Sequence, residues 1–530
     1  MIFSFWSWWY DASNYREKYL IPVLATALTI ISLLSFLFNV RKLKYSTPPL
    51  PPGPRGLPVF GYLPFLGTFL HKKFTDLAGE YGPIYKLWLG RKLCIVISSP
   101  SLAKEIVRDE DKIFANRDPP TASKIITYGG NDIVWSSYGP EWKKIRKVFV
   151  REMLSNASLE ASYPMRKEEV QKTIRDLCNE VGKTVDFGQL VFEIAANASI
   201  SMLCGSTLKG EKAISFVGEF RKWAEEIMVL QGKPNVSDLF PVLARFDLQG
   251  LERETRRIFL CIDQILDSVI EQCLNTDVAT EEKAEKSESR KDFLQILLEF
   301  NKHGDAATSI TTNQLKALLI DIVVGGTETT STMLEWAMAE LMLNQEVMKT
   351  VYQELDQVVG INNIVEEFHL PRLQFLDAVL KETFRLHPAL PLLVPHFSSR
   401  SCRVGGYTIP KGSTIFLNAY AIHRDPLLWD NPLEFRPERF LSNDDNYSKF
   451  DYSGNNFQYL PFGSGRRVCA GLPLAERMQL YIFASLLHSF EWKLPLGTEL
   501  ELSDKFGIVV KKMKPLLLVA KPRLSTVEKY

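Results

Sequence analysis

No Cys-x-x-Cys pair occurs anywhere in this 530-residue chain, and its seven cysteines (94, 178, 204, 261, 273, 402 and 469) are scattered singly. That absence removes both a zinc-site spacing and a disulfide framework. An odd, dispersed set suits a reducing compartment. Charge of one sign is also lacking: 63 Lys and Arg against 62 Asp and Glu leave a net +1. Nucleic-acid binding, which rests on a basic excess, finds no support there. Internal repeats and a flavin-binding segment are likewise missing. What remains is ordinary for a globular enzyme, 46% hydrophobic and 24% charged, and long enough for one large domain or two to three ordinary ones.

One long uncharged run is present. Leu20 to Val40 is apolar or small throughout and reaches bilayer-spanning length. Arg41, Lys42 and Lys44 follow it, while Asp11 and Glu17 offset Arg16 and Lys18 before it. The positive-inside rule then predicts a single-pass anchor with the rest of the chain in the cytosol. Trp6, Trp8, Trp9 and Tyr10 suit a membrane interface. Pro48 to Pro58 is too proline-rich for a helix or central strand and reads as a stiff spacer. The predicted organisation is an N-terminal segment (1–19), an anchor (20–40), a basic and Pro-rich hinge (41–58) and one large domain (59–530). Within that domain, Tyr85–Leu89 and Leu93–Ser98 form a hairpin around Gly90-Arg91-Lys92. Long helical patterns follow, and Asn275–Lys291 reads as a charged surface linker.

The most informative ten residues are Phe462 to Gly471, Phe-Gly-Ser-Gly-Arg-Arg-Val-Cys-Ala-Gly. They set Cys469 in a Gly-rich loop, with Arg466 and Arg467 upstream and an apolar helical pattern, Leu472–Ser489, downstream. A thiolate needs such cations, backbone N–H groups and a helix N-terminus. Gly465 and Gly471 lack the side chains that would hold a flat ligand away from the backbone, and Arg467 can pair with an anionic group of that ligand. The arrangement suits a thiolate on haem iron, which favours O–O cleavage. The stretch fits the Phe-x-x-Gly-x-Arg-x-Cys-x-Gly signature at every fixed position, and in this the chain resembles the cytochrome P-450 haem-thiolate family, plant microsomal type. That resemblance implies a mainly α, single helix-rich haem-thiolate domain with a small β region. It also implies haem b with Cys469 as its axial ligand, and Phe462, Gly465, Arg467 and Gly471 against the cofactor.

Further motifs extend it. Gln314–Leu343 is a helical pattern interrupted by Gly325-Gly326-Thr327-Glu328-Thr329-Thr330. Two mid-helix glycines cost about 1 kcal/mol each, which points to a purpose: close approach of a flat cofactor and O2. The segment resembles the family's acid–alcohol pair. Thr329 would then hydrogen-bond the reacting dioxygen or an ordered water, and Glu328 would relay protons. Glu382 and Arg385, at i, i+3 on one helix face, match Glu-x-x-Arg; with Arg439 of Pro437-Glu438-Arg439-Phe440 they would form a structural ion triad. Trp142, Arg146 and His396 join Arg467 as the residues the family aims at the haem propionates.

The resemblance also implies partners: O2, a small hydrophobic substrate, membrane lipid and a separate NADPH–cytochrome P-450 reductase. The reductase would dock on a basic face of Lys143, Lys144, Lys147, Arg151 and Arg466. The expected location is the endoplasmic reticulum membrane, with the catalytic domain in the cytosol. Stretches such as Tyr81–Gly90, Gly232–Asp238 and Asp321–Gly326 are similar to the plant subfamily containing (+)-δ-cadinene 8-hydroxylase. Pocket walls carried over from the family (Thr121–Val134, Met228–Leu230, Val324, Leu392–Val394, Phe506–Val509) are mostly aliphatic, with Asp321 an exception. The expected reaction is hydroxylation of a plant specialised metabolite, a sesquiterpene first, a flavonoid or other phenylpropanoid second. An O2-independent haem-thiolate isomerase or dehydratase ranks below both, because members of that kind usually lose the acid–alcohol pair.

Overall fold

The computed structural model describes Thr26 and residues 48–205, 223–224, 226–281, 292–305, 308–441, 450–505 and 507–524. The 1–19 segment and, Thr26 apart, the 20–40 run lie outside the described residues. Among the described residues one helix is long and apolar enough to cross a membrane, Phe187–Cys204, and it is a core element, largely buried inside the domain.

Six helices position the site: α1 (Pro140–Glu152), α2 (Phe187–Cys204), α3 (Leu251–Glu281), α4 (Thr312–Leu343), α5 (Gln374–Leu386) and α6 (Leu472–Ser489). The central helix α4 begins at a capping box. Thr311 Oγ1 accepts the Gln314 N–H at 3.2 Å, and Gln314 Oε1 accepts the Thr311 N–H at 2.9 Å, which satisfies two orphan donors at once. Most of α4 from Gln314 to Leu341 is buried, so its sequence is apolar all round rather than amphipathic. Helix α2 crosses it closely. A Cβ at Gly188 would come 2.8 Å from the Glu335 carboxyl carbon. Helix α6 packs along α4 with Met478–Ser489 fully buried.

The β region is small. Strands β1 (Ile84–Leu89) and β2 (Lys92–Ile97) pair with Leu89 opposite Lys92, leaving the two-residue turn Gly90-Arg91, with Gly90 at φ +57°. The rest are β3 (Thr184–Asp186), β4 (His396–Phe397), β5 (Cys402–Val404), β6 (Tyr407–Ile409), β7 (Thr414–Leu417), β8 (Phe490–Lys493), β9 (Asp504–Lys505), β10 (Lys511–Lys512) and β11 (Leu517–Pro522). One sheet runs β1-β2-β7-β4 and sets His396 on its edge strand; the others are β3-β11-β8 and the pairs β5/β6 and β9/β10.

Two sequence expectations need correction. The hinge is extended but not a free spacer: Lys86 N donates to Pro52 O at 2.8 Å and Thr408 N to Pro49 O at 2.9 Å. Its last ten residues therefore belong to the folded domain, which starts before residue 59. The charged stretch from Asn275 is still helical as far as Glu281 at the end of α3. Its Glu and Ala are good helix formers, and charge alone does not break a helix. Residues 282–291 lie outside the described residues.

Candidate active site

The Cys469 loop is held from both ends. Cys469 N donates to Phe462 O at 2.9 Å, and Gly463 N to Leu460 O at 3.1 Å. Phe462 packs its ring 5.0 Å from Phe384 and 5.4 Å from Tyr452. Burial pushes the Cys469 thiol up, while the N–H groups of Gly471 and Leu472 at the start of α6, and Arg146, favour the thiolate. Cys469 is surrounded by protein in this way yet its side chain is accessible, the mark of a residue that lines an internal space. Gly471 leaves only ordinary contact, 3.9 Å, between a Cβ and that sulfur. Gly465 has a different reason from the one expected. It sits at φ +65°, and a Cβ there would fall 2.0 Å from Val107 O, so its lack of a side chain serves loop packing rather than ligand approach.

Cations crowd the loop. Arg146 Nη2 donates to Val468 O at 2.6 Å. Arg467 donates to Ala115 O at 2.7 Å, Ile133 O at 3.1 Å and Ser136 O at 2.5 Å. The Trp142 ring lies between them, 5.5 Å from the Arg146 guanidinium and 4.3 Å from that of Arg467, and its Nε1 donates to Ile133 O at 2.9 Å. His396 Nδ1 meets Phe114 O at 3.0 Å. Sequence reasoning missed Arg117, a buried guanidinium that donates to Val134 O at 3.2 Å, Val394 O at 2.7 Å and Pro395 O at 2.8 Å. No motif surrounds it, so only the fold could reveal it.

These cations are short of counter-charge. Burial, with Arg146 nearby, brings Arg467 down to about 10 against the opposing pull of Asp132. Burial and then Arg467 depress Arg117. Burial, Arg117 and Arg467 hold His396 well below the usual histidine range. Buried charges demand partners, and a ligand with two carboxylates would relieve this cluster. Haem, with two propionates and an iron seeking a thiolate, fits the donor set.

The central helix carries the acid–alcohol segment. Between Gln314 and Leu341 every residue is buried except Asp321, Gly325, Gly326 and Thr329. Positions 321, 325 and 329 are four apart, one above another on one face, so this stripe is the face of that segment left incompletely buried. A Cβ at Gly325 would meet nothing within 4 Å. Thr329 Oγ1 donates back to Gly325 O at 2.6 Å, the helix-loosening bond that threonine can make. Asp321 also faces this side: its Oδ2 accepts the Ile133 N–H at 2.7 Å. Burial and the neighbouring Asp132 carboxylate push it well above the usual carboxylate range. Glu328 is buried and forms an ion pair with Lys511 of β10, a partner that lies 183 positions away in sequence.

Beneath the loop, Glu382 meets two arginines. Arg385 donates to its two oxygens at 2.7 and 2.8 Å, and Arg439 Nε to Oε1 at 3.0 Å. All three side chains are fully buried. Their remaining donors reach the carbonyls of His423, Pro432, Glu434 and Asp430. The basic face of Lys143, Lys144, Lys147, Arg151 and Arg466 is less basic than its sequence reads. Arg466 is held by Asp111 at 2.8 Å, Lys144 by Glu141 at 2.8 Å and Arg151 by Glu152 at 2.5 Å. A groove of about 340 Å³ beside the loop is lined by Arg108, Asp111, Ser464, Gly465 and Arg466.

A thiol at a helix start, under-neutralised buried cations and a partly exposed threonine on the central helix fit one class, the haem-thiolate oxygenases. The chain belongs to the cytochrome P450 family, whose model matches residues 51–519. It is 35% identical to a flavonoid 3',5'-hydroxylase of Campanula medium over 95% of this chain and 97% of that one. It is 36% identical to a flavonoid 3'-monooxygenase of Arabidopsis thaliana over 94% and 96%. Among solved structures, a zebra fish cytochrome P450 with abiraterone superposes with a TM-score of 0.69 at 28% identity, over 86% of this chain and 99% of that one. The protein is therefore an oxidoreductase, a monooxygenase using O2, a cysteine-ligated haem and electrons from a redox partner.

These relatives overturn the sesquiterpene expectation, because they are flavonoid hydroxylases. The aliphatic walls misled for a physical reason. Ile126, Leu230 and Val324 are buried members of the main hydrophobic core and Val509 of a smaller one, and a packed core has that composition whatever the ligand.

Proposed function

We propose that this protein hydroxylates an aromatic ring of a flavonoid or closely related phenylpropanoid. The observation that carries this reading is the end-to-end similarity to flavonoid hydroxylases. The stripe of Asp321, Gly325 and Thr329 supports it: a glycine-flattened wall admits a planar ring, and a carboxyl at its end can meet a phenol. In the balanced reaction, substrate, O2, NADPH and one proton give hydroxylated product, water and NADP⁺. NADPH–cytochrome P450 reductase is the proposed donor, docking over the groove and Arg466. The anchor at 20–40 would hold the domain on the cytosolic side of the endoplasmic reticulum membrane.

Haem b supplies the activation of O2 when it is bound. The chain's own residues do the rest. Cys469 would provide the thiolate ligand, with its charge steadied by the N–H groups of Gly471 and Leu472. Arg117, Trp142, Arg146, His396 and Arg467 would hold the propionates. The Thr329 hydroxyl, now bonded to Gly325 O, would be free to turn and hold a proton toward the substrate side of the site, and the buried Glu328 carboxyl beside it would resupply that proton.

The test is turnover by microsomes containing this protein and a plant reductase, given NADPH and a mixed panel of flavanones, flavonols and sesquiterpenes. The expected result is a flavonoid gaining one oxygen while the sesquiterpenes are unchanged. Conversion of a sesquiterpene with all flavonoids untouched would contradict it.

A further inference from the structure

Arg117 brings more than a charge to the site. Its base is fixed first: Phe397 N of β4 donates to Asn116 O at 2.9 Å, and Tyr138 N to Asn116 Oδ1 at 3.0 Å. From there the buried guanidinium bonds two stretches far apart in sequence. Nε reaches Val134 O, while Nη1 reaches Val394 O and Pro395 O. Among the described residues no acceptor meets Nη2, which leaves that end for a propionate. The first stretch is joined to α4, since Ile133 N donates to Asp321 Oδ2 at 2.7 Å. The second, Pro391 to Pro395, is stiffened by a proline at each end. Its middle residue, Leu393, sits at φ +52°, a left-handed conformation that leucine keeps only where its surroundings dictate it. Leu393 N donates to Leu390 O at 3.0 Å and Tyr420 N to Pro391 O at 3.0 Å. Arg117 is 7% exposed, yet Val134, whose backbone it holds, is 36% exposed, and Val394 is half-buried. A buried fork thus grips two backbones and leaves their side chains accessible.

We propose that Arg117 is a positioning residue for the substrate, tying the Val134 stretch to the Pro391–Pro395 turn and so fixing the spacing of two walls that hold the ring to be hydroxylated. This rests on reading both stretches as substrate walls and on the proposed aromatic hydroxylation. The planar guanidinium donates in fixed directions, so its bonds set a distance between the two backbones. Lysine, a point charge on a flexible stem, serves a propionate but holds no such distance. With the tie in place a flat ring has one seat, and the oxygen enters at one position. With the tie released, the strained turn at Leu393 relaxes, the walls part and the ring takes several orientations.

The experiment compares R117K and R146K with the wild type as full-length, haem-loaded protein. It reads the affinities of two iron-binding probes, imidazole and phenylimidazole, and, with reductase and NADPH, the ring position at which a flavanone is oxidised. Imidazole reports the iron site alone, and the added phenyl group reports the walls. R117K is expected to weaken phenylimidazole relative to imidazole by about tenfold, the equivalent of roughly one hydrogen bond, and to spread the new oxygen over more than one position. R146K also alters a cation near the haem, but its bond runs to Val468 O; whatever it does to haem content, the probe ratio and the product position should stay as in the wild type. Equal weakening of both probes by R117K, an unchanged ratio, or a ratio that R146K shifts as far would overturn the tie. Should R117K fail to take up haem, hydrogen exchange of the wild type decides. Phenylimidazole should slow exchange at 132–135 and 392–394 together, and protection of one stretch without the other would overturn the tie. If the wild type oxidises no flavanone, the flavonoid reading fails while the probe ratio still judges Arg117.

Discussion

Cys469→Ala is expected to yield a protein that no longer forms the thiolate-ligated haem spectrum after reduction under carbon monoxide, and that has lost all monooxygenase turnover. The effect is all-or-none because nothing nearby can replace the sulfur. The cysteines at 94, 204 and 273 are buried and those at 178, 261 and 402 only partly accessible, so Cys469 alone is exposed. The groups that favour a thiolate at this point, the Gly471 and Leu472 N–H groups and Arg146, have no use for a methyl group. The measurement is the reduced carbon monoxide difference spectrum beside total haem content. A wild-type spectrum from the alanine variant would remove Cys469 from the ligand role.

Glu382→Ala should cost the fold about 3–5 kcal/mol, the range for removing one partner of a buried charge cluster. Arg385 and Arg439 would be left with two uncompensated guanidinium groups at full burial. Arg436 N would also lose its acceptor, which lies at 2.9 Å. The neighbouring pair Lys381–Asp377, at 2.8 Å but partly exposed, is the comparison: Lys381→Ala should cost under about 1 kcal/mol. Thermal unfolding followed by circular dichroism, with haem retention read in parallel, separates the two. Equal and small losses in both variants would show that the triad is not what fastens α5 beneath the Cys469 loop.

Sequence reasoning reached furthest where the chemistry is written in consecutive residues. The Cys469 loop, the 325–330 segment and the Glu382/Arg385 pair each carry their own spacing, and α4 and α6 could be drawn almost to their ends because apolar residues recur at helical period. What stayed hidden is made by folding distant stretches together. Arg117 joins Arg467 across 350 positions in sequence and Lys511 joins Glu328 across 183, and neither sits in a recognisable pattern. Gly465 was assigned a ligand-side reason that belongs to Val107, since a sequence says that a Cβ is missing but not which atom needs the room. The substrate was misjudged on the same ground: aliphatic residues fill cores and pockets alike.

The most direct measurement is turnover of a flavanone under isotopically heavy O2, with NADPH and reductase, read by mass spectrometry. The account predicts a ring-hydroxylated flavonoid carrying one heavy oxygen atom, with the other appearing in water. A flavonoid product whose new oxygen comes from water, or no flavonoid product from protein with a normal thiolate-haem spectrum, would contradict it.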